Sequence, residues 1–302
     1  APTRHPRAAR ASHSQAKSRP PFDDSRPDTF SSAITGGARP SLSNGGRDFA
    51  WLCEALAARG WRVGALILDA ADFTPQSRPR LFIVAYRGAP PAFLASESPG
   101  YGHTRGLIDA VGALDEATRS AWVWWRLAPP PVRNASLEDL TERIGAHLGW
   151  RSQEALDKLL SQMTPAHRAR VEAARAEGVY RVGAVYRRIR DGVQRAEVRY
   201  DGLAGCVRTL KGGSSRQLLL VSAAGELRLR AMTAVESARL MGLPADYKLP
   251  PRATAAFNLT GDGVCAPVVR WLGLKLLAPL AEAAQGARDG RNRRPLERSV
   301  TG

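Results

Sequence analysis

A chain of 302 residues with 44 Lys and Arg against 28 Asp and Glu carries a formal net charge of +16. That excess points to a polyanionic partner, nucleic acid first, the alternative being an arginine-rich composition with loose basic tails. Three cysteines, Cys53, Cys206 and Cys265, are too few and too scattered for a disulfide framework or a metal site; no apolar run of about 18 residues offers a membrane span, the N-terminus carries no secretory signal, and a reducing, cytoplasmic setting fits.

The length suits about two domains. Residues 1–40 are rich in Arg, Ser, Pro and Ala, the composition of a disordered basic tail. Structure is expected from Asp48. "DFAWLCEALAARG" puts Phe49, Leu52, Leu56 and Ala57 on one helical face and ends at Gly60. "RVGALIL" reads as a buried strand, and so does "LFIVAY". Between them "AADFTPQSRPR" sets Gln76, Arg78 and Arg80 at the mouth of the second strand. A guanidinium buried without a partner is costly, so something polar or anionic must meet these arginines. An arginine pair bridging Asp69 or Asp72 is one answer.

Further on, Trp122, Trp124 and Trp125 make a hydrophobic patch or a base-stacking surface. Ser136 with Asp139 resembles a capping box, and Thr164-Pro165 reads as an N-cap followed by a first-turn proline. "VRTL" and "RQLLLVS" look like short strands around "KGGSS". "TAVESARLMG" reads as an amphipathic helix from Thr233 to Gly242. In "APVVRWLGLKLLAPLAEAA", Val268, Val269, Leu272, Leu276 and Leu280 form an apolar stripe. Residues 288–302 form a charged tail.

Three of these segments, in order, resemble the cytosine-5 DNA methyltransferase family. Pro75 to Arg80 matches the family's Gln-x-Arg-x-Arg motif, the eighth, before a strand. "MTAVESARLMGLPADYKLP" resembles the ninth motif. "LTGDGVCAPVVRWLGLKLLAPL" resembles the tenth, with Asp262 where the family most often has Asn. The resemblance covers Ser41 to Ala287. It implies an α/β fold, the C-terminal part of a Rossmann-like methyltransferase domain (41–87 and 228–287), with an inserted α+β target recognition domain at 88–227. It implies S-adenosylmethionine as cofactor near Gly261, Asp262, Gly263 and Val264, double-stranded DNA as partner, and a role in DNA methylation of the restriction-modification kind. Arg80 would contact the flipped cytosine, with Gln76 and Arg78 supporting it.

In the insert, Arg187, Arg188, Arg190, Arg208, Lys211 and Arg216 would supply phosphate or guanine contacts. Gly212 and Gly213 allow close backbone approach, Ser214, Ser215 and Gln217 supply neutral hydrogen-bonding groups, and Thr209-Leu210 fits the family's recognition-loop pattern. A solvated basic hairpin is the other reading. The family's chemistry also needs a thiolate, in a Pro-Cys-Gln motif, that attacks C6 of the flipped base and activates C5 toward the methyl donor. No such motif occurs in the 302 residues, and neither does the Glu-Asn-Val segment or the Gly-rich cofactor turn. The expectation is therefore a truncated, C-terminal portion holding recognition without the nucleophile, its strand edge and the stripe of its last helix exposed unless a complementary N-terminal half covers them. The alternatives are one subunit of a split enzyme or a non-catalytic DNA-binding module.

Overall fold

Strand β1 (Phe30–Thr35), helix α1 (Arg47–Ala57) and strands β2 (Trp61–Asp69) and β3 (Pro79–Arg87) open the chain in a computed structural model that describes residues 30–35, 43–143, 146–190, 192–210 and 216–292. Helix α1 buries Phe49, Cys53 and Leu56. β2 and β3 pair antiparallel from Trp61↔Arg87 to Asp69↔Pro79, because the short connection over residues 70–78 leaves no room for a parallel crossover. β1 pairs antiparallel along the other side of β3, from Phe30↔Tyr86 to Thr35↔Leu81, and the sheet order is β1-β3-β2.

Two expectations are corrected here. A strand, β1, forms inside the stretch read as a structureless tail, and it covers the side of β3 where an exposed strand edge was expected. The second follows from the first: a strand buried on both faces leaves its backbone groups dry, so both of its sides must be paired. Side chains alternate across this sheet. Leu66, Leu68, Phe82, Val84 and Tyr86 enter one core, and Val63, Ala65, Ile67, Leu81, Ile83 and Ala85 enter the other with α1.

The next segment, with β4 (Ala95–Ser96), α2 (Arg105–Gly112), α3 (Glu116–Ser120) and β5 (Trp124–Trp125), packs on the same sheet. Leu94, Val123, Trp125 and Leu127 join the first core, and Leu107, Val111 and Leu114 the second. The three tryptophans are therefore structural. Trp125 is fully buried, and Trp122 sits edge-to-face with Phe49 at 6.0 Å and Trp124 at 5.5 Å. Gly64 lets this segment approach β2, since a Cβ there would lie 2.3 Å from the Val123 carbonyl oxygen.

A second sheet follows. Helix α4 (Leu137–Leu140) opens with the Ser136–Asp139 capping box. After α5 (Gln153–Ser161), Thr164 caps α6 (Pro165–Ala176) with proline in its first turn. β6 (Arg181–Arg190) and β7 (Val193–Arg199) form the basic hairpin, β8 (Leu218–Ala223) and β9 (Glu226–Ala231) a second hairpin, and the order is β7-β6-β8-β9. Thr233 and Glu236 form the capping box of α7 (Ala234–Leu240). "RQLLLVS" supplies β8, but "VRTL" forms no strand: Val207 is held by Gln76 and Arg78 of the β2–β3 connection instead of by a neighbouring strand.

The chain closes with α8 (Ala253–Asp262), α9 (Ala266–Leu272), a π-helical turn over Gly273–Leu277 and α10 (Ala278–Asn292). Residues Ala253–Gly286 are long and apolar enough to cross a membrane by length and composition, with mean hydropathy 1.5 over an 18-residue window, where no such run was expected. The apolar stripe expected to be exposed is instead buried: Val268, Leu272, Leu276 and Leu280 pack on the β2–β3 face. Of that stripe only Val269, at 38% exposure, faces outward.

Candidate nucleic-acid interface and arginine clasp

The β2–β3 connection is braced before its arginines are placed. Asp69 accepts hydrogen bonds from the backbone N–H groups of Ala71 (3.0 Å) and Arg78 (2.6 Å), and Asp72 accepts from the Tyr101 hydroxyl (2.6 Å). Neither carboxylate pairs with a guanidinium of the motif, so the arginine-pair-on-aspartate reading does not hold.

Gln76 is fully buried. Its amide nitrogen donates to the Leu240 carbonyl (3.0 Å) and its oxygen accepts from the Val207 N–H (3.0 Å). Around it, Ala204 donates to the Pro75 carbonyl (2.8 Å) and Ser77 donates to the Ala204 carbonyl (3.0 Å). Arg78 is 2% exposed. Its Nη1 donates to the Val207 carbonyl (2.7 Å) and approaches Cys206 Sγ (3.2 Å). Its Nη2 donates to the carbonyls of Gly261 (2.8 Å) and Gly263 (2.6 Å). These carbonyls stand at the C-terminal end of α8, where helix groups lack internal partners and the dipole favours a cation. Burial lowers the Arg78 pKa, and Cys206 opposes that shift. One planar fork thus joins three chain segments, a task for which a lysine has the wrong geometry.

Arg80 differs. It is half-buried, its Nη1 donates to the neighbouring Pro79 carbonyl (2.9 Å), and its Nη2 lies 3.6 Å from Cys206 Sγ. Among the described residues it has no carboxylate partner. Of the cysteines, burial pushes the Cys53 thiol up to about 12 and also raises that of Cys265, so neither yields a thiolate readily. Cys206 is half-buried.

Cys206 also lines a cavity of about 880 Å³ between the second sheet, segment 205–208 and Phe257 of α8, with Ser77 of the β2–β3 connection at its wall. Arg170, Arg187, Arg188, Arg199, Arg208 and Arg216 line it against one carboxylate, Glu197. Glu197 lies 3.5 Å from Arg188, and Arg199 pairs with Asp201. Arg216 stacks over the Phe257 ring at 5.1 Å. Of the residues marked in the sequence, Arg187, Arg188, Arg208, Arg216 and Gln217 come together here. The Gln217 amide donates to the Val185 carbonyl (2.5 Å), which makes it part of the scaffold. Arg190 ends β6. Thr209 and Leu210 run beside α8. Lys211, Gly212, Gly213, Ser214 and Ser215 lie outside the described residues. His167, Arg170 and Arg199 were missed, because they reach the cavity from α6 and β7 through tertiary packing and no motif marks them.

Gly261, Asp262, Gly263 and Val264 end α8 and follow it. Two of their carbonyls are engaged by Arg78, and Asp262 is exposed. The segment offers a cofactor one free side-chain acceptor and does not enclose it.

The chain is mixed α/β, with an arginine-lined cavity beside a buried Gln-Arg clasp. The family model of the C-5 cytosine-specific DNA methylases matches residues 41–278, and the chain belongs to that family. Among solved structures it is similar to the Schizosaccharomyces pombe Dnmt2 methyltransferase (16% identity, 83% of this chain and 68% of that one, TM-score 0.44). It is also similar to a Spodoptera frugiperda DNMT2 mutant (13% identity, 83% and 66%, TM-score 0.42) and to the Entamoeba histolytica methyltransferase EhMeth (9% identity, 78% and 58%, TM-score 0.41). The chain thus spans roughly two thirds or less of the length of these structures. No curated protein matches.

Proposed function

We propose that this chain is the target-recognition and pocket-supporting portion of a DNA (cytosine-5) methyltransferase. The observation that carries this reading is the division of labour in one motif. The Gln76 amide and both Nη atoms of Arg78 are engaged in joining segment 204–210 to α7 and the end of α8, whereas the Arg80 guanidinium, bonded only to its neighbour's carbonyl and close to Cys206 Sγ, stays available beside the arginine-lined cavity. In this role the cavity and the β6–β7 hairpin bind the phosphate backbone, with recognition residues drawn from the part of the 88–227 insert that forms the second sheet. Arg80 meets the extruded base as a cationic donor, and Arg78 fixes where Arg80 stands. S-adenosylmethionine, when bound, supplies an electrophilic methyl group, and Asp262 is the residue here able to accept a hydrogen bond from it. The thiolate comes from outside these residues, since none of the three cysteines sits in a Pro-Cys-Gln motif.

The experiment mixes the chain with a separately expressed chain carrying the Pro-Cys-Gln and Gly-rich segments, then measures methyl transfer from S-adenosylmethionine to duplex DNA. Activity confined to the mixture, and lost with Arg80→Ala, is the expected result. A second reading, a DNA-binding module without catalysis, draws on the missing nucleophile. It is favoured if the mixture stays inactive while sequence-selective binding persists.

A further inference from the structure

The segment after Ala204 is held by groups outside its own sheet. Val207 is fixed at both backbone groups, its N–H by Gln76 (3.0 Å) and its carbonyl by Arg78 (2.7 Å). Two residues later the support passes to α8. The Leu210 N–H donates to Asn258 Oδ1 (3.3 Å). The Thr209 backbone rests on Gly261, where an added Cβ would lie 2.2 Å from the Thr209 nitrogen and 2.5 Å from the Arg208 carbonyl carbon. Arg216, where the described chain resumes, stacks on Phe257. Gly261 is i+4 from Phe257 and i+3 from Asn258, so it lies between them on one side of α8. That side meets backbone at Thr209 and Leu210, which fixes chain position without dictating side chains. The exposed Arg208 is left free to point away from the helix.

We propose that this side of α8 is a positioning surface for sequence recognition. Asn258 and Gly261 set the height and register of residues 207–210 against the bound duplex, and Arg78 links that register to the place of Arg80. Gly261, expected from the family resemblance to serve the cofactor, acts here as the seat of the recognition segment. The proposal rests on the DNA-recognition reading above. It assigns selectivity to two residues that touch no base.

The test uses the full chain and a randomised DNA duplex pool. The enriched sequence and a scrambled duplex of equal length are then titrated against wild type, Asn258→Ala, Asn258→Asp and Gly261→Ala, at several salt concentrations. Loss of one backbone-positioning hydrogen bond should cut the ratio of selective to scrambled affinity about tenfold in Asn258→Ala. Scrambled-duplex affinity and its salt slope should stay unchanged. Asn258→Asp keeps the acceptor and should restore the ratio, and Gly261→Ala should behave as Asn258→Ala does. Should Gly261→Ala fail to fold, the two Asn258 variants decide alone. A selectivity ratio that Asn258→Ala leaves intact, or equal weakening on both duplexes, overturns the positioning role while the DNA reading stands. A wild-type chain that enriches no sequence overturns both.

Discussion

Arg78 and Arg80 are two residues apart, yet they pose opposite problems. Arg78 is buried with its charge met by three carbonyl oxygens and the Cys206 sulfur, and by no carboxylate among the described residues. Replacing it with methionine keeps the bulk and strands the carbonyls of Val207, Gly261 and Gly263. Each buried unpaired group costs about 1–3 kcal/mol, so Arg78→Met should destabilise by roughly 3 kcal/mol or more in urea unfolding. Arg80→Ala removes a half-buried side chain whose protein acceptor is its own neighbour, and should shift stability by less than about 1 kcal/mol. A stability loss equal to that of Arg78→Met would reverse the assignment of the two roles. His103 poses a titration problem of its own. It is 8% exposed, and burial lowers its pKa from the ordinary 6.5. Its Nδ1 accepts the Gly100 N–H (2.9 Å), which requires that nitrogen to be unprotonated. A folded pKa below the unfolded one means the unfolded chain takes up the proton first. Stability is therefore complete above about pH 6.5 and declines as pH falls toward the folded pKa. Melting temperature measured from pH 8 to pH 5 should show that decline, and His103→Asn, which keeps an acceptor, should flatten it.

Among the elements, β9 and α7 are joined by a fully buried ion pair. Arg230 and Glu236, 0% and 1% exposed, form a bidentate contact at 2.8 and 2.5 Å. Glu236 also accepts from the backbone of Thr233 and Glu142, and Arg230 donates to the Glu142 carbonyl. Glu236→Gln leaves the guanidinium uncompensated and should cost about 3–5 kcal/mol in a urea titration. The double change Arg230→Met with Glu236→Leu should recover only part of that, because the Glu142 and Thr233 backbone groups stay unpaired. Full recovery would show that the pair alone matters. This junction was half legible. The Thr233–Glu236 capping box is a four-residue pattern and could be read, whereas the inward turn of Arg230 from a strand reading "ELRLRA" could not. The same contrast runs through the chain. Helix α1, strands β2 and β3 and the caps at Ser136 and Thr164 are local patterns. Strand β1 depends on pairing with β3 some fifty residues away, and "FSSAIT" has too little alternation to announce it. "VRTL" has β-branched and apolar residues but follows Gln76 and Arg78, which lie more than a hundred residues earlier. Gln76, Arg78 and Arg80 were marked by the family pattern. Asn258 and Phe257 had no pattern to mark them, because their contacts are with backbone and a stacked guanidinium.

At the scale of the molecule, the formal charge of +16 is unevenly useful. Seven of the basic residues lie in positions 1–40, at places in the sequence outside the described residues. Within the cavity, Arg188 and Arg199 already face carboxylates. Arg170, Arg208 and Arg216 have no carboxylate within ion-pair distance among the described residues, so they are the cations with most to gain from a phosphate. Each phosphate neutralised contributes about −0.9 to the slope of log K against log salt on duplex DNA. Three such contacts set a slope of about −2.7, and a fourfold rise in salt should weaken binding roughly fortyfold. Arg208→Ala and Arg216→Ala should each flatten the slope by close to ~0.9, whereas Lys158→Ala, on α5 away from this cavity, should leave it unchanged. Arg216→Ala carries a second signature, because it also removes the stack on Phe257 that anchors the return of the segment to β8. It should therefore lower selectivity as well as the slope, and Arg208→Lys, which keeps the charge, should lower selectivity alone. Fluorescence anisotropy on one duplex over a salt series reads the slopes directly. A slope near zero in the wild-type chain would remove the cavity from DNA binding altogether, and a slope that survives both alanine variants would move the phosphate contacts to the basic residues of positions 1–40.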